Sequence, residues 1–297
     1  MTISIKNLSV VIVSFHSHEV IDECIKSIPS EIKIIVVENS RDKTTKLALE
    51  SKYKNVSCIL SPENLGMGGG NNFGLSYVQT DFAFILNPDV VLEKNTIEEI
   101  IIASKNLEIF GLIAPISNNP SYPNYKMYKK KDSSINLNAP FRVKSVDGFA
   151  MILNLKKLKH LDNFRDNNYF DENFFMYLEN DDLCKRINDE DYKIFVVPNS
   201  KINHLGGKAV SKKFKEQIEL SRNWHWVWSK YYFNKKHKGF LIAIMNSFPS
   251  FLSAVIKFFF YLLLNHNKKN IYFHRASGFI SALLGRKSYY RPKINNQ

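Results

Sequence analysis

A chain of 297 residues with 44% apolar and 23% charged side chains can bury one large core with an appendage or two modest cores, and wholesale disorder is excluded. Its cysteines, Cys24, Cys58 and Cys184, stand far apart in no metal-ligand spacing, which argues against a disulfide framework and a zinc site and for a reducing compartment. The net charge of +13 is uneven: residues 201–297 hold 18 Lys and Arg against two acids, Glu216 and Glu219, while the first 200 hold 23 against 26.

The N-terminus runs straight into the β-branched stretch LSVVIVSF (8–15) without the ordered n-region, apolar core and cleavage site of a secretory signal. A helical pattern follows around Glu19 to Ile28, then IKIIVVEN (32–39), polar helix-like residues to about Tyr53, VSCILS (56–61), a Gly-rich loop with a helix, and FAFILNPDV (82–90). Near-continuous apolar runs separated by helical segments predict a buried, mostly parallel sheet in an α/β fold. Ligands of such sheets gather outside the carboxyl ends of the strands, and each run here ends in polar residues: Ser14, Glu38-Asn39, Ser61 and Asn87-Pro88-Asp89.

Residues 117–140 are loop-like, with three prolines and a basic cluster; VKSVDGFAMILN and KIFVVPNSKINHLGG are further strand regions, and Ala209 to Phe233 is helical and rich in Trp and Tyr. Gly239 to Ile256 is free of charge and is followed by Lys257 and FFFYLLL. A membrane span needs about 20 apolar residues, and Asn246, Ser247, Pro249 and Lys257 interrupt this one. A helix or broken hairpin lying in the interface of an anionic leaflet fits better than a clean span, with a buried helix pair covering the sheet as the other reading.

Several short stretches could carry chemistry, each beside a plainer reading. The loop ENLGMGGGNNFG (63–74) lets backbone approach a ligand, yet it is no Walker A loop and a poor dinucleotide fingerprint, and a tight structural turn reads equally well. Asp89 ends a buried strand, where a carboxylate must be solvated, paired or bound to a cation, or else is a turn residue after Pro88. His204, ahead of two glycines, is a structural histidine or completes a metal site. Glu38 bonds a ribose or base, or neighbours a helix cap. Asp147-Gly148 accepts from a sugar hydroxyl or is a plain turn. FFMYLENDDLCKR (174–186) is a charged helix start or a general base beside an apolar wall.

Read in order, these motifs resemble an inverting family 2 glycosyltransferase of the GT-A fold, most like the rhamnosyltransferase-like branch of bacterial cell-surface polysaccharide (O-antigen) synthesis. SVVIVSF, VVENS, NLGMGGGNNFG, LNPDV, VDGFAMIL, the LENDDLCKR stretch and HLGG carry the likeness over about residues 8 to 232. It implies a GT-A domain at 1–232, with a nucleotide-sugar half to about 116 and an acceptor half from about 141, and a basic, amphipathic, membrane-associating helical extension at 233–297. Ser14, Glu38, Asn39, Asn64, Gly68, Asn71 and Asn87 would hold the nucleotide. Asp89 and His204 would hold Mg2+ or Mn2+, and Asp147 and Gly148 would face the acceptor. The implied partners are a nucleotide-sugar donor (rhamnose by the branch), a polyprenyl-diphosphate-linked or glycan acceptor and an anionic membrane surface, at the inner face of the plasma membrane. Trp224, Trp226 and Trp228 among basic residues could stack on bases, but the neighbouring uncharged stretch is better explained by lipid, so no nucleic acid is expected. Two departures stand out: Glu38 replaces an Asp, and Asn180 stands where the family's Glu-Asp pair has its Asp. An amide cannot take a proton near neutral pH. Glu179 then serves as base, or Asp182 does, or the chain is an inactive binding relative; Glu179, after the aromatic wall, is favoured over Asp182, which fixes the helix or the acceptor.

Overall fold

The computed structural model describes residues 2–107, 109–119, 123–128, 136, 138–206, 210 and 214–292. The chain forms two compact units: residues 1–171 with 180–211, and residues 172–179 with 212–297.

The first unit is built on a nine-stranded sheet. In chain order its elements are β1 (Leu8–Ser14), α1 (Ile21–Lys26), β2 (Lys33–Glu38), α2 (Lys43–Lys52), β3 (Val56–Leu60), α3 (Gly66–Leu75), β4 (Phe82–Leu86), β5 (Val90–Leu92) and α4 (Thr96–Ser104). Then come β6 (Phe110–Ser117), β7 (Tyr125–Lys126), β8 (Phe141–Arg142), β9 (Ser145–Val146), β10 (Ala150–Asn154), α5 (Leu155–Leu158), α6 (Glu179–Asp189) and β11 (Lys193–His204). The strand order is β3-β2-β1-β4-β10-β6-β11-β5, with β8 on β11; β7 pairs with β9 in a separate ribbon. β3, β2, β1 and β4 are parallel, in the register that sets Ser14 beside Glu38, and β11 is parallel to β6. β10 lies antiparallel between β4 and β6.

Period-two alternation explains why both faces of the sheet are apolar. Val10, Ile12, Ile34, Val36, Phe82 and Phe84 enter one buried cluster. Val11, Ile35, Ala83 and Ile85, one residue out of step, enter the other with Leu153, Leu183 and Ile187.

Three expectations change. The run 82–90 is two strands: β4 stops at Leu86, Asn87-Pro88-Asp89 turns the chain, and β5 pairs antiparallel with β11. The region VKSVDGFAMILN divides at Asp147-Gly148-Phe149 into β9 and β10. The glycines Gly66 to Gly70 are the first turns of α3 itself rather than a loop before it. A Cβ on Gly74 would stand 2.5 Å from Val11 Cγ1, so the missing side chains let α3 lie directly on β1. Much of the 117–140 stretch lies outside the described residues, but Tyr125–Lys126 within it is the strand β7.

The second unit holds α7 (Lys215–Lys238), α8 (Phe240–Leu263) and α9 (Lys268–Leu283). The helix read at 209–233 therefore starts later and ends later; residues 209 and 211–213 lie outside the described residues. Trp224, Val227, Trp228 and Tyr231 of α7 pack with Ala243 of α8 and with Phe279 and Ala282 of α9. Gly278 makes that contact possible, because its Cβ would meet the Trp224 carbonyl oxygen at 2.6 Å. α8 continues through Pro249 and presents one long face of exposed apolar side chains.

Candidate active site

At the carboxyl ends of β1 and β2 the chain closes on itself through Asn39. Its N–H donates to the Ser14 carbonyl at 2.7 Å, its Oδ1 accepts from the Leu65 N–H at 3.0 Å, and its Nδ2 donates to Asn64 Oδ1 and the Gly66 carbonyl, each at 3.1 Å. Asn39 thus brackets the start of α3, with Asn64 also accepting from the Gly66 N–H at 3.1 Å. Glu38 is 1% exposed, and its Oε1 accepts from the Ser40 N–H at 2.9 Å and from the Ser40 hydroxyl. Burial pushes its carboxyl above the usual range, against the pull of the Ser40 hydrogen bonds. Gly68 and Asn71 follow in the buried part of α3.

Among the side-chain oxygens buried in this part of the unit without a hydrogen bond are Asn71 Oδ1, Asn87 Oδ1 and Asp89 Oδ1. Buried polar atoms are rarely left so, and several together mark a place built for something else. Asp89 is 2% exposed, and its Oδ1 faces His204 Nε2 at 3.4 Å. The backbone fixes this pair, since Leu205 N–H donates to the Asp89 carbonyl at 3.0 Å and His204 pairs with Val90 across β5 and β11. The His204 ring stacks on Phe149, centroids 4.0 Å apart, and the Phe149 carbonyl accepts from the Asn87 N–H at 2.8 Å. Among the described residues no group of three His, Cys, Asp or Glu side chains gathers as a metal cage. The donor set is a carboxylate and an imidazole, ligands that would suit a divalent cation completed by non-protein donors.

The turn Asp147-Gly148-Phe149 enters the same region. The Asp147 N–H donates to the Asn124 carbonyl at 2.8 Å, and the Asn180 amide donates to the Val146 carbonyl at 2.8 Å. Gly148 is tight against Asn180, where a Cβ would stand 3.1 Å from the Asn180 Cβ. Asp147 is half-buried, and burial pushes its carboxyl up; Lys126 and His204 lower it and Asp181 adds to the rise.

The other acids of α6 are engaged. Asp181 pairs with Lys126 at 2.8 Å. Asp182 is fully buried and accepts from Arg186 Nε at 2.8 Å, while the same guanidinium donates to the carbonyls of Asn163 at 3.0 Å and Tyr169. Glu179, the first residue of α6, is 8% exposed and groups with the second unit. There Tyr177 and Leu178 before it both take left-handed backbone, φ 70° and 66°, and Phe175 stacks on His225. So the structure brings Ser14, Glu38, Asn39 and Asn64 together, and Asp89, His204, Asn87, Asp147 and Gly148 together.

Sequence reasoning missed Asn124, Lys126 and Phe149. Phe149 could have been found, as an aromatic directly after Asp147-Gly148. Asn124 is wholly buried and bonds the Ser117 N–H and the Pro115 carbonyl from within a stretch read as loop, and nothing local marks it.

Residues 9–162 match the profile of glycosyl transferase family 2. Over 210 residues the chain is 27% identical to the low-salt glycan biosynthesis hexosyltransferase of Haloferax volcanii, covering 63% of this chain and 64% of that protein, just under two thirds of its length. Among solved structures it resembles a mannosyltransferase of Pyrobaculum calidifontis in complex with GDP-mannose and Mn2+, at 11% identity and TM-score 0.57, covering 95% of this chain and 88% of the other. It also resembles GalNAc-T7 with UDP, GalNAc and Mn2+, at 14% identity and TM-score 0.54, covering 80% and 56%. At these identities the likeness is one of fold, the GT-A arrangement of a mixed sheet between helices.

Proposed function

The chain belongs to glycosyl transferase family 2, and from that premise we propose that it moves a sugar, with inversion, from a nucleoside diphosphate donor to a hydroxyl of a glycan or polyprenyl-diphosphate-linked acceptor. The observation that carries the proposal is the Asp89 oxygen, buried without a hydrogen bond and facing His204 Nε2 at 3.4 Å at the carboxyl end of the sheet. Asp89 and His204 would hold Mg2+ or Mn2+, which neutralises the charge that gathers on the leaving diphosphate.

The chain's own residues do the rest. Glu38, beside Ser14, accepts hydrogen bonds from the nucleoside, and the orphaned oxygens of Asn71 and Asn87 receive donors from the same substrate. Asn39 and Asn64 fix the loop that leads into α3, where Gly68 leaves backbone accessible. Gly148 shapes the turn facing the acceptor, and Asp147 takes the acceptor's proton. Asp181 and Asp182 are held by Lys126 and Arg186, whereas the Asp147 carboxylate has neither hydrogen bond nor ion pair among the described residues. A half-buried, unpaired carboxylate with its affinity for protons raised is what a general base requires. As the acceptor oxygen forms its bond to the anomeric carbon, the bond from that carbon to the phosphate oxygen breaks. The electron pair leaves on the nucleoside diphosphate and the proton goes to Asp147. Three free, buried cysteines support a reducing compartment, and α8 supports work at its membrane face.

The test is transfer over a panel of nucleotide sugars with Mg2+ or Mn2+, comparing wild type with Asp147→Asn, Glu179→Gln and Asn180→Asp. Loss of a general base costs about 10²–10⁴-fold in rate, and Asp147→Asn is expected to lose that much while still binding donor. Equal loss in Glu179→Gln with Asp147→Asn intact would move the base to Glu179. A silent wild type and an active Asn180→Asp would identify a binding relative that has lost transfer.

A further inference from the structure

Within the second unit, α7, α8 and α9 line a half-open cavity of about 300 Å3 that presents polar and cationic side chains among apolar ones. Trp226 and Lys230 come from α7, Ser247, Ser250 and Ser253 from α8, and Arg275 from α9. Two of these are built in rather than lying loose on the surface. Ser247 is 1% exposed and its hydroxyl has no hydrogen-bond partner. The Arg275 Nε is buried and likewise donates to nothing. An unmet buried hydroxyl or guanidinium N–H is expensive, so the pair calls for a shared acceptor.

Charge says what kind. Residues 240–283 contain no Asp or Glu, and the acids of α7 are Glu216 and Glu219 at its start. Among the described residues neither Arg275 nor Lys230 makes an ion pair, so these helices leave the cavity's two cations without a counter-charge. A group with several oxygens and negative charge satisfies the guanidinium, the ammonium and the serine hydroxyls at once, and phosphate is the common one.

The same helix supplies the other half of a lipid site. Leu241, Met245, Phe248, Leu252, Ile256, Phe259 and Leu263 recur three or four residues apart along α8 and are each 48% exposed or more. Pro249 and Ser253, which line the cavity, stand three residues before Leu252 and Ile256 of this stripe, one helical turn away along the same flank of α8, so an apolar chain leaving the cavity past them meets the stripe. We propose that the cavity binds the phosphate or diphosphate headgroup of a lipid, with the lipid's chain laid along α8. A free phosphate would use the cations and leave the stripe unexplained.

The chain is titrated with vesicles of otherwise neutral lipid carrying a polyprenyl diphosphate, and separately with such vesicles carrying phosphatidylserine to the same total negative charge. Wild type is expected to prefer the first by about tenfold or more, a binding difference of one decade or above. Arg275→Gln and the small, buried change Ser247→Ala are expected to erase the preference while leaving phosphatidylserine binding alone, which also reports that both variants are folded. Equal binding of wild type to the two vesicles, or an unchanged preference in both variants, would overturn the site. Inorganic pyrophosphate serves as competitor: displacement of the protein from diphosphate vesicles only at large excess supports a lipid, whereas binding of pyrophosphate alone as tightly as the vesicles would assign the cavity to a soluble anion.

Discussion

Asp147, Asp181 and Asp182 share a charge and differ in everything around it. Lys126 holds Asp181, Arg186 holds Asp182 in the interior, and Asp147 stands half-buried with only longer-range charges about it. Breaking a buried ion pair by removing one partner leaves the other desolvated and uncompensated, at a cost of about 3–5 kcal/mol. Asp182→Asn should therefore lower unfolding stability by about 3 kcal/mol in urea titration, because the buried Arg186 guanidinium loses its counter-charge. Transfer per folded molecule should hardly change. A variant as stable as wild type with its transfer abolished would make Asp182 part of the chemistry instead. Residue types in sequence marked Asp147 and Asp182 as candidates, but a carboxylate's role follows from its partners. Lys126 is 55 residues from Asp181 in the chain, a pairing no local pattern announces.

Elements transmit these constraints. α3 lies so close to β1 that a Cβ on Gly74 would stand 2.5 Å from Val11 Cγ1 and 3.0 Å from Val37 Cγ2, both branched atoms with little room to move. Gly74→Ala should cost about 1–3 kcal/mol through overpacking, despite alanine's better helix propensity, as a lowered midpoint in thermal unfolding would show. A stabilised variant would mean that α3 can lift from the sheet. The strands beneath were legible in sequence because parallel, doubly covered strands read as apolar runs. Strand direction was not. β10 reads as a buried strand like its neighbours, yet runs antiparallel between β4 and β6, since hydrophobicity carries no polarity along the chain. β5 was hidden for a related reason: Val90 prolongs the apolar run of β4 across a turn that only Pro88 betrays. The glycines of α3 announced close approach of backbone to something; in the structure that something includes the sheet itself, at Gly70 and Gly74.

At the scale of the whole molecule the charge is divided along the chain, with 18 Lys and Arg against two acids after residue 200. The same stretch holds α8, long and apolar enough by length and composition to cross a bilayer and buried over only 17% of its most apolar window. The two features act differently with salt. Each Lys or Arg near an anionic leaflet contributes about 1 kcal/mol, and that attraction decays as the Debye length falls from about 10 Å at 0.1 M to about 3 Å at 1 M ionic strength. Contact of the α8 stripe with lipid is hydrophobic and survives salt. Vesicle flotation of the intact chain should then show wild type binding anionic vesicles tightly at low salt, weakening by about tenfold or more at high salt, and settling at a salt-resistant residue of binding. Replacing Leu241, Met245 and Phe248 with glutamine should abolish that residue and spare much of the low-salt binding. Oligonucleotides should compete poorly at every salt concentration, because they offer charge without a partner for the stripe. If the triple variant kept the salt-resistant component, α8 would not be the element that meets the membrane; if oligonucleotides displaced the protein fully, the basic residues would be serving nucleic acid.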